Sequence, residues 1–465
     1  MASANSVLQL LRERGVERLK VGAFDTDGVL RGKYLSLEKA EGVLESGFGF
    51  CDVIFGWDSA DVLYDHEPET ARKMYTGWHT GYPDALAKLD PKTLRFIPWE
   101  SNTAFMLADF YTPGGSALPI CPRQVLKRVV QRAHKLGFEP MAAVEFEFFI
   151  FKESPETVRE KGYRHLTPLT PGMFGYSVVR ASSQQELVHS ILKSMKDYDI
   201  DLEGFHTETG PGVYEAAIKY DTILNIADKA ALFKTAMKEI ASRHGVMVSF
   251  MAKVNQNLPG CSGHIHQSLW DRDLRQNLFA DQKSEFGMSA MFKQYVAGQL
   301  ELMPEMMALI SPTINSYKRT GRHTMAWAPC NATWALDNRT AALRVILGPN
   351  GAGKPTRVEY RLAAADINPY HALAASLAGG LYGIESKLVL QGPLKGSAYA
   401  VSAKEAQPLP TSLEEATEKL NQSERAREYL GSAFIDHYVA TRRWEVEQFR
   451  RAVTSWELER YFEII

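Results

Sequence analysis

Three strand-like segments of this sequence carry pairs of charged or imidazole side chains two residues apart. The pairs are Glu145/Glu147, His264/His266 and Glu359/Arg361, and one apolar or aromatic residue separates the members of each pair. Because residues i and i+2 of a β-strand face the same side of a sheet, both members of a pair point into one space. Several carboxylates buried together are costly unless cations neutralise them. One pair alone would indicate a solvated strand face, but the joint pattern predicts strands that converge on divalent cations.

Two further acids fit this predicted metal site. Glu208 and Glu215 flank the Gly210-Pro211-Gly212 turn. A donor set of mostly carboxylates with some imidazole favours Mg²⁺ or Mn²⁺ over a structural Zn²⁺.

A basic segment from residue 318 to residue 361 supplies the cations that a phosphate donor beside metals would need. Its arginines alternate with apolar residues such as Leu343 and Val358, which predicts partial burial against anions rather than a solvated surface run. The basic residues are Lys318, Arg319, Arg322, Arg339, Arg344, Lys354, Arg357 and Arg361.

Composition excludes several other classes of protein. With 465 residues, 45% hydrophobic and 23% charged, the chain is an ordinary globular sequence of two or three domains. A net charge of −2 gives no nucleic-acid footprint, and no apolar run is long enough to span a bilayer. The four cysteines lie far apart without a CxxC pair, which predicts reduced thiols and a cytoplasmic location.

The pattern of turns and periodicity predicts an α+β fold in two domains. The Asp25-Thr26-Asp27-Gly28 turn predicts a hairpin, and residues 48–90 read as a long irregular loop. A break at Pro113-Gly114-Gly115 divides domain 1–112 from domain 113–465. In the second domain, helices from Pro122 and from Lys229 are interspersed with strands without a regular βαβ spacing.

At this point the sequence resembles the glutamine synthetase family over nearly its whole length. The matching motifs are Glu145-Phe-Glu147, His206-Thr-Glu208 with Gly210-Pro-Gly212 and Glu215, Gly263-His-Ile-His266, Asn315-Ser-Tyr-Lys-Arg319, Asn338-Arg339 through Arg344, Lys354 with Arg357-Val-Glu-Tyr-Arg361, and Asn368-Pro-Tyr370. The resemblance implies an N-terminal β-grasp domain and a catalytic domain with an antiparallel sheet surrounded by helices. It also implies homo-oligomers, usually dodecamers of two stacked hexameric rings, with each active site formed between neighbouring subunits.

The resemblance assigns roles to individual residues. Glu147, Glu208 and Glu215 would hold the metal nearer the amino-acid substrate, and Glu145, His264 and Glu359 the metal nearer the ATP phosphates, with two or three Mg²⁺ or Mn²⁺ per site. Glutamate would be bound by Arg319 and Arg361, beside the loop that contains Gly260. The residues assigned to ATP and its phosphates are Tyr220, His266, Ser268, Arg339, Arg344, Lys354 and Arg357. The implied reaction phosphorylates the γ-carboxylate of glutamate with ATP, after which a neutral amine attacks the acyl phosphate.

Two departures from the family concern the amine. Ammonia-using members carry a glutamate just before Ala-Pro in a mobile flap, whereas this sequence has Trp327 before Ala328-Pro329, in a stretch about two residues longer. A tryptophan cannot take a proton from ammonium, but it can pack against a carbon skeleton or attract a cationic amine. In the N-terminal loop, Trp57 and Asp58 stand near the position of the usual Asp-Gly-Ser run. Both changes resemble the branch that joins glutamate to organic amines, the γ-glutamylamide and γ-glutamylpolyamine synthetases.

Two alternatives remain at this stage. One is an ordinary glutamine synthetase that uses ammonia, in which Asp58 plays the acidic part. The other is a catalytically inactive structural relative, a class that loses metal ligands. This chain keeps all six of the implied ligands, so we expect a glutamate–amine ligase.

Overall fold

The computed structural model describes residues 4–320, 327–348, 353–402 and 404–465. Arg322, one of the basic residues noted above, lies outside these ranges. Within them, no helix combines the length and apolar character needed to cross a membrane.

The N-terminal region forms a six-stranded sheet with a parallel pair at its centre. The sheet has the order β2-β1-β6-β4-β3, with β5 also on β6, and β1 runs parallel to β6 while the other pairs are antiparallel. Helix α2 packs against this sheet, an arrangement that agrees with the β-grasp expectation. The elements are α1 Ala4–Glu13, β1 Arg18–Phe24, β2 Leu30–Ser36, α2 Leu37–Ser46, β3 Phe48–Cys51, α3 Pro68–Ala71, β4 Asp84–Leu89, β5 Arg95–Phe96 and β6 Thr103–Tyr111.

The expectation of one irregular loop over residues 48–90 is wrong. Strands β3 and β4 bracket that stretch and pair with each other in antiparallel register, from Phe48 opposite Ala87 to Cys51 opposite Asp84. The region between them lacks long regular elements, as expected, but its two ends are part of the sheet.

The second region is built on an eight-stranded sheet with the order β13-β14-β15-β11-β7-β9-β8, and the short strand β10 pairs with residues 149–151 at the end of β7. Only the β13–β14 pair is parallel, so the predicted class of an α+β fold with an antiparallel catalytic sheet is confirmed. The elements are α4 Pro122–Lys135, β7 Phe138–Phe151, α5 Pro155–Glu160, α6 Val178–Ser182, α7 Gln185–Asp197, β8 Leu202–Thr207, β9 Val213–Thr222, α8 Ile223–Arg243, β10 Met247–Ser249, β11 Gly263–Asp271, α9 Ala290–Leu302, α10 Met307–Ile310, β12 Asn331–Ala332, β13 Trp334–Leu336, β14 Leu343–Ile346, β15 Arg357–Tyr360, α11 Pro369–Glu385, β16 Gln407–Pro408, α12 Leu413–Gln422, α13 Glu424–Leu430, α14 Ser432–Arg451 and α15 Ser455–Tyr461.

One face of this sheet carries the apolar core. Phe146 and Phe148 on β7 are fully buried, and their rings contact Phe233 of α8. Helices α4, α8 and α11 pack behind the sheet and around one another. Successive residues of a strand point to opposite faces of the sheet. Glu145 and Glu147 alternate with Phe146 and Phe148, so the two glutamates lie on the face opposite the core.

Helices α9 and α11 approach each other closely through glycines. A Cβ on Gly298 would lie 2.2 Å from the carbonyl oxygen of Gly379, a distance that backbone atoms cannot accommodate. These contacts hold α11 against α9, and Asn368, which caps the start of α11, donates hydrogen bonds to the backbone oxygens of Asp25 and Thr26 in the N-terminal region. The predicted domain division at residue 112 falls in the segment between β6, which ends at Tyr111, and α4, which begins at Pro122, and it stays a prediction.

Candidate active site

Strand register brings the predicted ligands together on the polar face of the large sheet. Each of the key residues lies directly opposite another across a pair of antiparallel strands. The opposed pairs are Glu147 with Glu215, Glu145 with His264, His266 with Glu359, and Glu359 with Arg344. Cross-strand partners have Cβ atoms about 5 Å apart, so the side chains share one space.

Two groups of three ligand atoms converge tightly enough to hold a metal ion. Glu145, His266 and Glu359 form one group, and Glu145, Glu215 and His264 form the other, with the atoms of each within 4.8 Å of one another. His266 Nε2 lies 3.1 Å from Glu145 Oε1, and His264 Nδ1 lies 3.6 Å from Glu359 Oε1. The carboxylate and imidazole donors fit a divalent cation. The grouping differs from the expected one, because His266, assigned to the nucleotide, joins Glu145 and Glu359.

The other two predicted ligands lie at the edge of these groups. Glu147 Oε2 accepts a hydrogen bond of 2.5 Å from the backbone N–H of Ser262. Glu208 has one carboxylate oxygen, Oε2, that is buried without a hydrogen-bond partner in the described part of the chain. Such an orphaned oxygen is costly unless a cation or donor meets it, so Glu208 fits a ligand role.

Around Glu215 and Glu208, carboxylates outnumber the positive charges that the described residues supply. Burial, followed by the charges of Glu147, Glu145 and Glu208, raises the pKa of Glu215 to about 9. Burial and the charge of Glu147 also raise the pKa of Glu208. Carboxylates that resist ionisation together are the pattern expected where divalent cations supply the missing charge.

Two arginines flank Glu359 at the other end of the cluster. Arg344 donates from Nη1 to Glu359 Oε2 at 2.9 Å, and its other nitrogens contact Asp337. Arg361 donates from Nη1 to the second carboxylate oxygen and from Nε to the backbone oxygen of Arg339 at 3.1 Å. Despite burial, His264, His266 and these arginines lower the pKa of Glu359 to about 2. Arg344 and Arg361 therefore lie beside the predicted metal ligands, and the backbone of Arg339 contacts Arg361.

A cavity of about 450 Å³ opens beside this cluster and contains most of the residues assigned to ATP. Its lining includes Glu145, so the cavity reaches the predicted metal site. Met141, Ile218 and Trp270 provide apolar walls for a base. The predicted nucleotide residues in its lining are Tyr220, His266, Ser268, Lys354 and Arg357. Arg357 Nε donates a hydrogen bond of 3.1 Å to His266 Nδ1, which connects a residue assigned to the ATP phosphates with His266 of the predicted metal site.

The residues assigned to glutamate, Gly260, Arg319 and Arg361, are not part of the lining of this cavity. Arg319 is 2% exposed, and its guanidinium contacts the backbone oxygen of Leu362 at the end of β15. A Cβ on Gly260 would stand 2.9 Å from the Cγ atom of Arg319, so only glycine lets this loop pass the arginine stem. Asn315 exchanges hydrogen bonds with the backbone of Lys253 at 2.8 and 2.9 Å, which fixes the segment that leads to Arg319.

The residues assigned to the amine are not gathered with the metal ligands. Trp327 is 65% exposed and begins the part of the chain described after residue 326. Asp58 is buried, where its carboxylate accepts from the amides of Ala60 and Val62 and from the indole N–H of Trp444. Trp57 is half-buried beneath the guanidinium of Arg31. An amine role for Trp57, Asp58 and Trp327 stays a prediction.

The structure adds two residues that the motif assignments left out. The ring of Tyr176 stacks on His206 with centroids 4.4 Å apart, and His206 Nε2 lies 3.5 Å from Glu215 Oε1. The negative charges of Glu208 and Glu215, after burial, raise the pKa of Tyr176. His206 was visible in the His-Thr-Glu motif, two residues before Glu208 on one strand face, but Tyr176 stands in a loop without a periodic signal.

Comparisons with known proteins agree with this geometry. Residues 119–461 match the family described as glutamine synthetase, catalytic domain. A type-1 glutamine synthetase 2 from Dictyostelium discoideum is 49% identical over 96% of this chain and 84% of its own length. A glutamate–isopropylamine ligase from a Pseudomonas species is 39% identical over 99% of this chain and 98% of its own. A solved structure of GmaS in complex with ADP aligns with a TM-score of 0.84 and 27% identity, covering 99% of this chain and 100% of its own.

Proposed function

The chain belongs to the glutamine synthetase family, and on that premise we propose that it is a glutamate–amine ligase. It joins the γ-carboxylate of glutamate to an organic amine, with conversion of ATP to ADP and phosphate. The relative that acts on isopropylamine, similar over the full length of both chains, supports this substrate class.

Two or three divalent cations, Mg²⁺ or Mn²⁺, belong to this activity in our proposal. When bound, they would supply positive charge between the γ-carboxylate and the γ-phosphate. The residues that would hold them are Glu145, Glu147, Glu208, Glu215, His264 and Glu359. The raised pKa of Glu215 and the orphaned Glu208 oxygen support this assignment.

The chain's own cations perform the positioning that phosphoryl transfer needs. Lys354 and Arg357 line the cavity and would hold the ATP phosphates, with the base between Tyr220 and the apolar walls. Arg344, anchored on Glu359, and Arg339 would face the transferred phosphoryl group. Their charge offsets the repulsion between the phosphate and the attacking carboxylate, which is the main barrier to forming the γ-glutamyl phosphate.

Glutamate is held from the opposite side in this proposal. Arg319 and Arg361 are both almost fully buried at the end of β15, and buried arginines recognise carboxylates through paired hydrogen bonds. The γ-carboxylate oxygen attacks the γ-phosphorus and ADP leaves. The amine nitrogen then attacks the acyl carbon, phosphate leaves, and the nitrogen loses a proton.

An apolar surface beside the carboxylates is the observation that carries the preference for an organic amine. The segment from Met173 to Val179 exposes Phe174, Tyr176, Val178 and Val179, each more than half exposed. Within it, Tyr176 stacks on His206, and a Cβ on Gly175 would lie 2.9 Å from Thr209 Oγ1 and in ordinary contact with Glu208 Oε2 at 3.5 Å. A hydrocarbon substituent on the nitrogen would gain contacts there that ammonium cannot make. Trp327, in place of the family's flap glutamate, points the same way.

Ordinary glutamine synthesis from ammonia is the second candidate, and the 49% identical relative with that name favours it. An ADP-release assay with glutamate and either ammonium or a panel of primary amines separates the two. Mass spectrometry identifies the product. We expect kcat/KM to be higher for an alkylamine or arylamine than for ammonium, and the proposal fails if ammonium is the best substrate.

A substitution at the flap sharpens this test. Trp327→Glu restores the acid of the ammonia-using enzymes and should shift the ratio of ammonium to amine kcat/KM toward ammonium by about tenfold, roughly 1.4 kcal/mol. Trp327→Phe is the matched control, because it keeps an aromatic ring and should keep the preference. An unchanged ratio in both variants would remove Trp327 from the amine site.

Assembly and location complete the proposal. The contacts given above for Asp58 and Trp57 are with Ala60, Val62, Trp444 and Arg31, and in our proposal these two residues complete the site of a neighbouring subunit in a dodecamer of two hexameric rings. All four cysteines, Cys51, Cys121, Cys261 and Cys330, are free, which supports a reducing, cytoplasmic setting.

A further inference from the structure

Lys354 lies in a short turn of residues 353–356, which we call the lysine turn. Within it, the backbone N–H of Thr356 donates to the backbone oxygen of Gly353 at 3.0 Å. Lys354 and Pro355 are exposed, and Lys354 lines both the nucleotide cavity and a second cavity of about 300 Å³. A turn bordered by two cavities has few apolar neighbours, so polar contacts decide where it lies.

One buried side chain contacts the lysine turn at three points. Asn277 is 5% exposed, and its amide nitrogen Nδ2 donates to the backbone oxygens of Gly353, Lys354 and Thr356 at 3.2, 3.1 and 2.7 Å. Its oxygen Oδ1 accepts from the backbone N–H of Phe279 at 3.0 Å. Because carbonyl oxygens only accept and a backbone N–H only donates, these four contacts fix the orientation of the amide.

The backbone of Asn277 is itself fixed at the end of β11. Asn277 forms an antiparallel bridge with Trp270, the β11 residue that is a wall of the nucleotide cavity. The same strand carries His266, which accepts a hydrogen bond from Arg357, the first residue after the lysine turn. Asn277 and His266 therefore connect the turn and the residue that follows it to one strand.

We propose that Asn277 is a positioning residue for phosphoryl transfer, which holds the lysine turn so that Lys354 and Arg357 face the ATP phosphates. This role rests on the proposed function, because it requires these two cations to bind ATP. Asn277 is not part of the lining of the nucleotide cavity, so it acts through the backbone of the turn rather than on the substrate. A misplacement of about 1 Å at a charged group is enough to lower the rate of such a reaction markedly.

Kinetics of two variants test this role. Asn277→Leu keeps a similar side-chain volume but removes the donor, and Asn277→Asp places a carboxylate against three carbonyl oxygens. We expect KM for ATP to rise about tenfold or more in both variants, while KM for glutamate at saturating ATP changes less than about twofold. Calorimetric titration with ADP and MgCl₂ should show the same loss of affinity. An unchanged KM for ATP, or an equal rise of both KM values, would overturn the role.

Asn331 provides a matched control for loss of stability. It is 3% exposed, and its Nδ2 donates to the backbone oxygen of Ala398 at 3.3 Å, outside the lining of the nucleotide cavity. Asn331→Leu should lower the urea midpoint, as Asn277→Leu does, but should keep KM for ATP. A raised KM for ATP in Asn331→Leu would overturn the role, because loss of any buried asparagine would then produce the effect.

A milder variant covers the case in which Asn277→Leu and Asn277→Asp do not fold. Asn277→Ser adds neither volume nor charge, but its hydroxyl is too short to reach three oxygens, so the Kd for ADP should rise about threefold or more. Equal ADP binding by Asn277→Ser and the unchanged protein would overturn the role of Asn277 alone. Absence of ADP binding by the unchanged protein would overturn the proposed function and this role with it.

Discussion

Two buried groups of carboxylates in this protein differ in how their charge is balanced. In the first, Arg123 of α4 donates to Asp90, Asp109 and Asp228 with four hydrogen bonds of 2.8–2.9 Å. Lys127 adds a second cation, and the hydroxyl of Tyr370 donates to Asp228 at 2.7 Å. Despite burial, Arg123 lowers the pKa of Asp90, so this carboxylate stays ionised.

The second group, on the polar face of the large sheet, has four glutamates around Glu215 and, among the described residues, cations only at its Glu359 end. There the pKa of Glu215 rises to about 9, because burial and neighbouring carboxylates oppose its charge. The charge of the first group is balanced within the chain, which indicates a structural role, whereas in our proposal the charge of the second group is balanced by external cations. Whether the chain itself balances the charge of buried acids distinguishes a structural ion cluster from a binding site more reliably than the number of acids does. We call the structural cluster of Arg123 with Asp90, Asp109 and Asp228 the Arg123 brace.

The largest effect is expected from Glu215→Gln. Loss of one metal ligand should lower kcat/KM by roughly 10³-fold, about 4 kcal/mol of transition-state stabilisation. Stability in EDTA should be equal to or above that of the unchanged protein, because the substitution removes a repelled carboxylate. Steady-state kinetics and denaturant unfolding measure the two quantities. A variant that lost stability in EDTA as well as activity would show that Glu215 is a structural residue.

Arg123→Met should produce the opposite result. Three carboxylates would lose their shared partner, so we expect a loss of about 3–5 kcal/mol in the free energy of unfolding. The kinetic parameters of the protein that remains folded should change little, because Arg123 does not contact the active site. Urea unfolding followed by fluorescence measures the loss. A loss below about 1 kcal/mol would contradict the view of this group as a brace.

The sequence predicts the active-site carboxylates but not the ion cluster around Arg123, because only the first depends on residues that are close together in the sequence. The i, i+2 alternation was sufficient for the strands that carry Glu145, His264 and Glu359, because strand geometry is a local property. Arg123 and its three acids come from four distant segments without a common period, so the brace was not predicted. Asp58 shows the same limit, because its hydrogen bond with Trp444 joins residues 386 positions apart and no sequence pattern indicated it.

Short strands with distant partners escaped prediction for a related reason. Strand β3 has four residues, one of them glycine, and its register with β4 depends on a pairing across more than thirty residues. Local propensity carries little information about such pairs. The stacking of Tyr176 on His206 likewise depends on a loop path that periodicity does not encode.

Divalent cations should stabilise the second group only. At a hundredfold excess over Kd, Mg²⁺ or Mn²⁺ should add about 2.7 kcal/mol to the free energy of unfolding, and Glu215→Gln should lose most of this gain. Because the folded pKa of Glu215 is raised, its contribution in metal-free protein is present below about 4.5 and is lost as pH rises toward about 9. Metal binding requires the ionised form, so the gain from metal should grow over the same pH range.

Thermal melts in EDTA and in MgCl₂ from pH 6 to pH 9 measure this dependence. The brace around Arg123 has a lowered pKa at Asp90, so its contribution is present above about 3.8 and constant across this window. Arg123→Met should therefore shift both curves by the same amount. A gain from metal that did not change with pH would contradict the raised pKa of Glu215.

The smallest loss of stability is expected from Arg132→Ala, a substitution on the same helix as Arg123. Arg132 lies on α4 like Arg123 and also binds two acids, with 2.9 Å to Glu385 and 2.7 Å to Glu428. Its side chain is about one-third exposed, against 6% for Arg123, so water screens its ion pairs. We expect a loss of less than about 1 kcal/mol in urea unfolding, and less in 0.5 M salt. If Arg132→Ala cost as much as Arg123→Met, the contribution of these arginines would depend on the number of ion pairs rather than on burial.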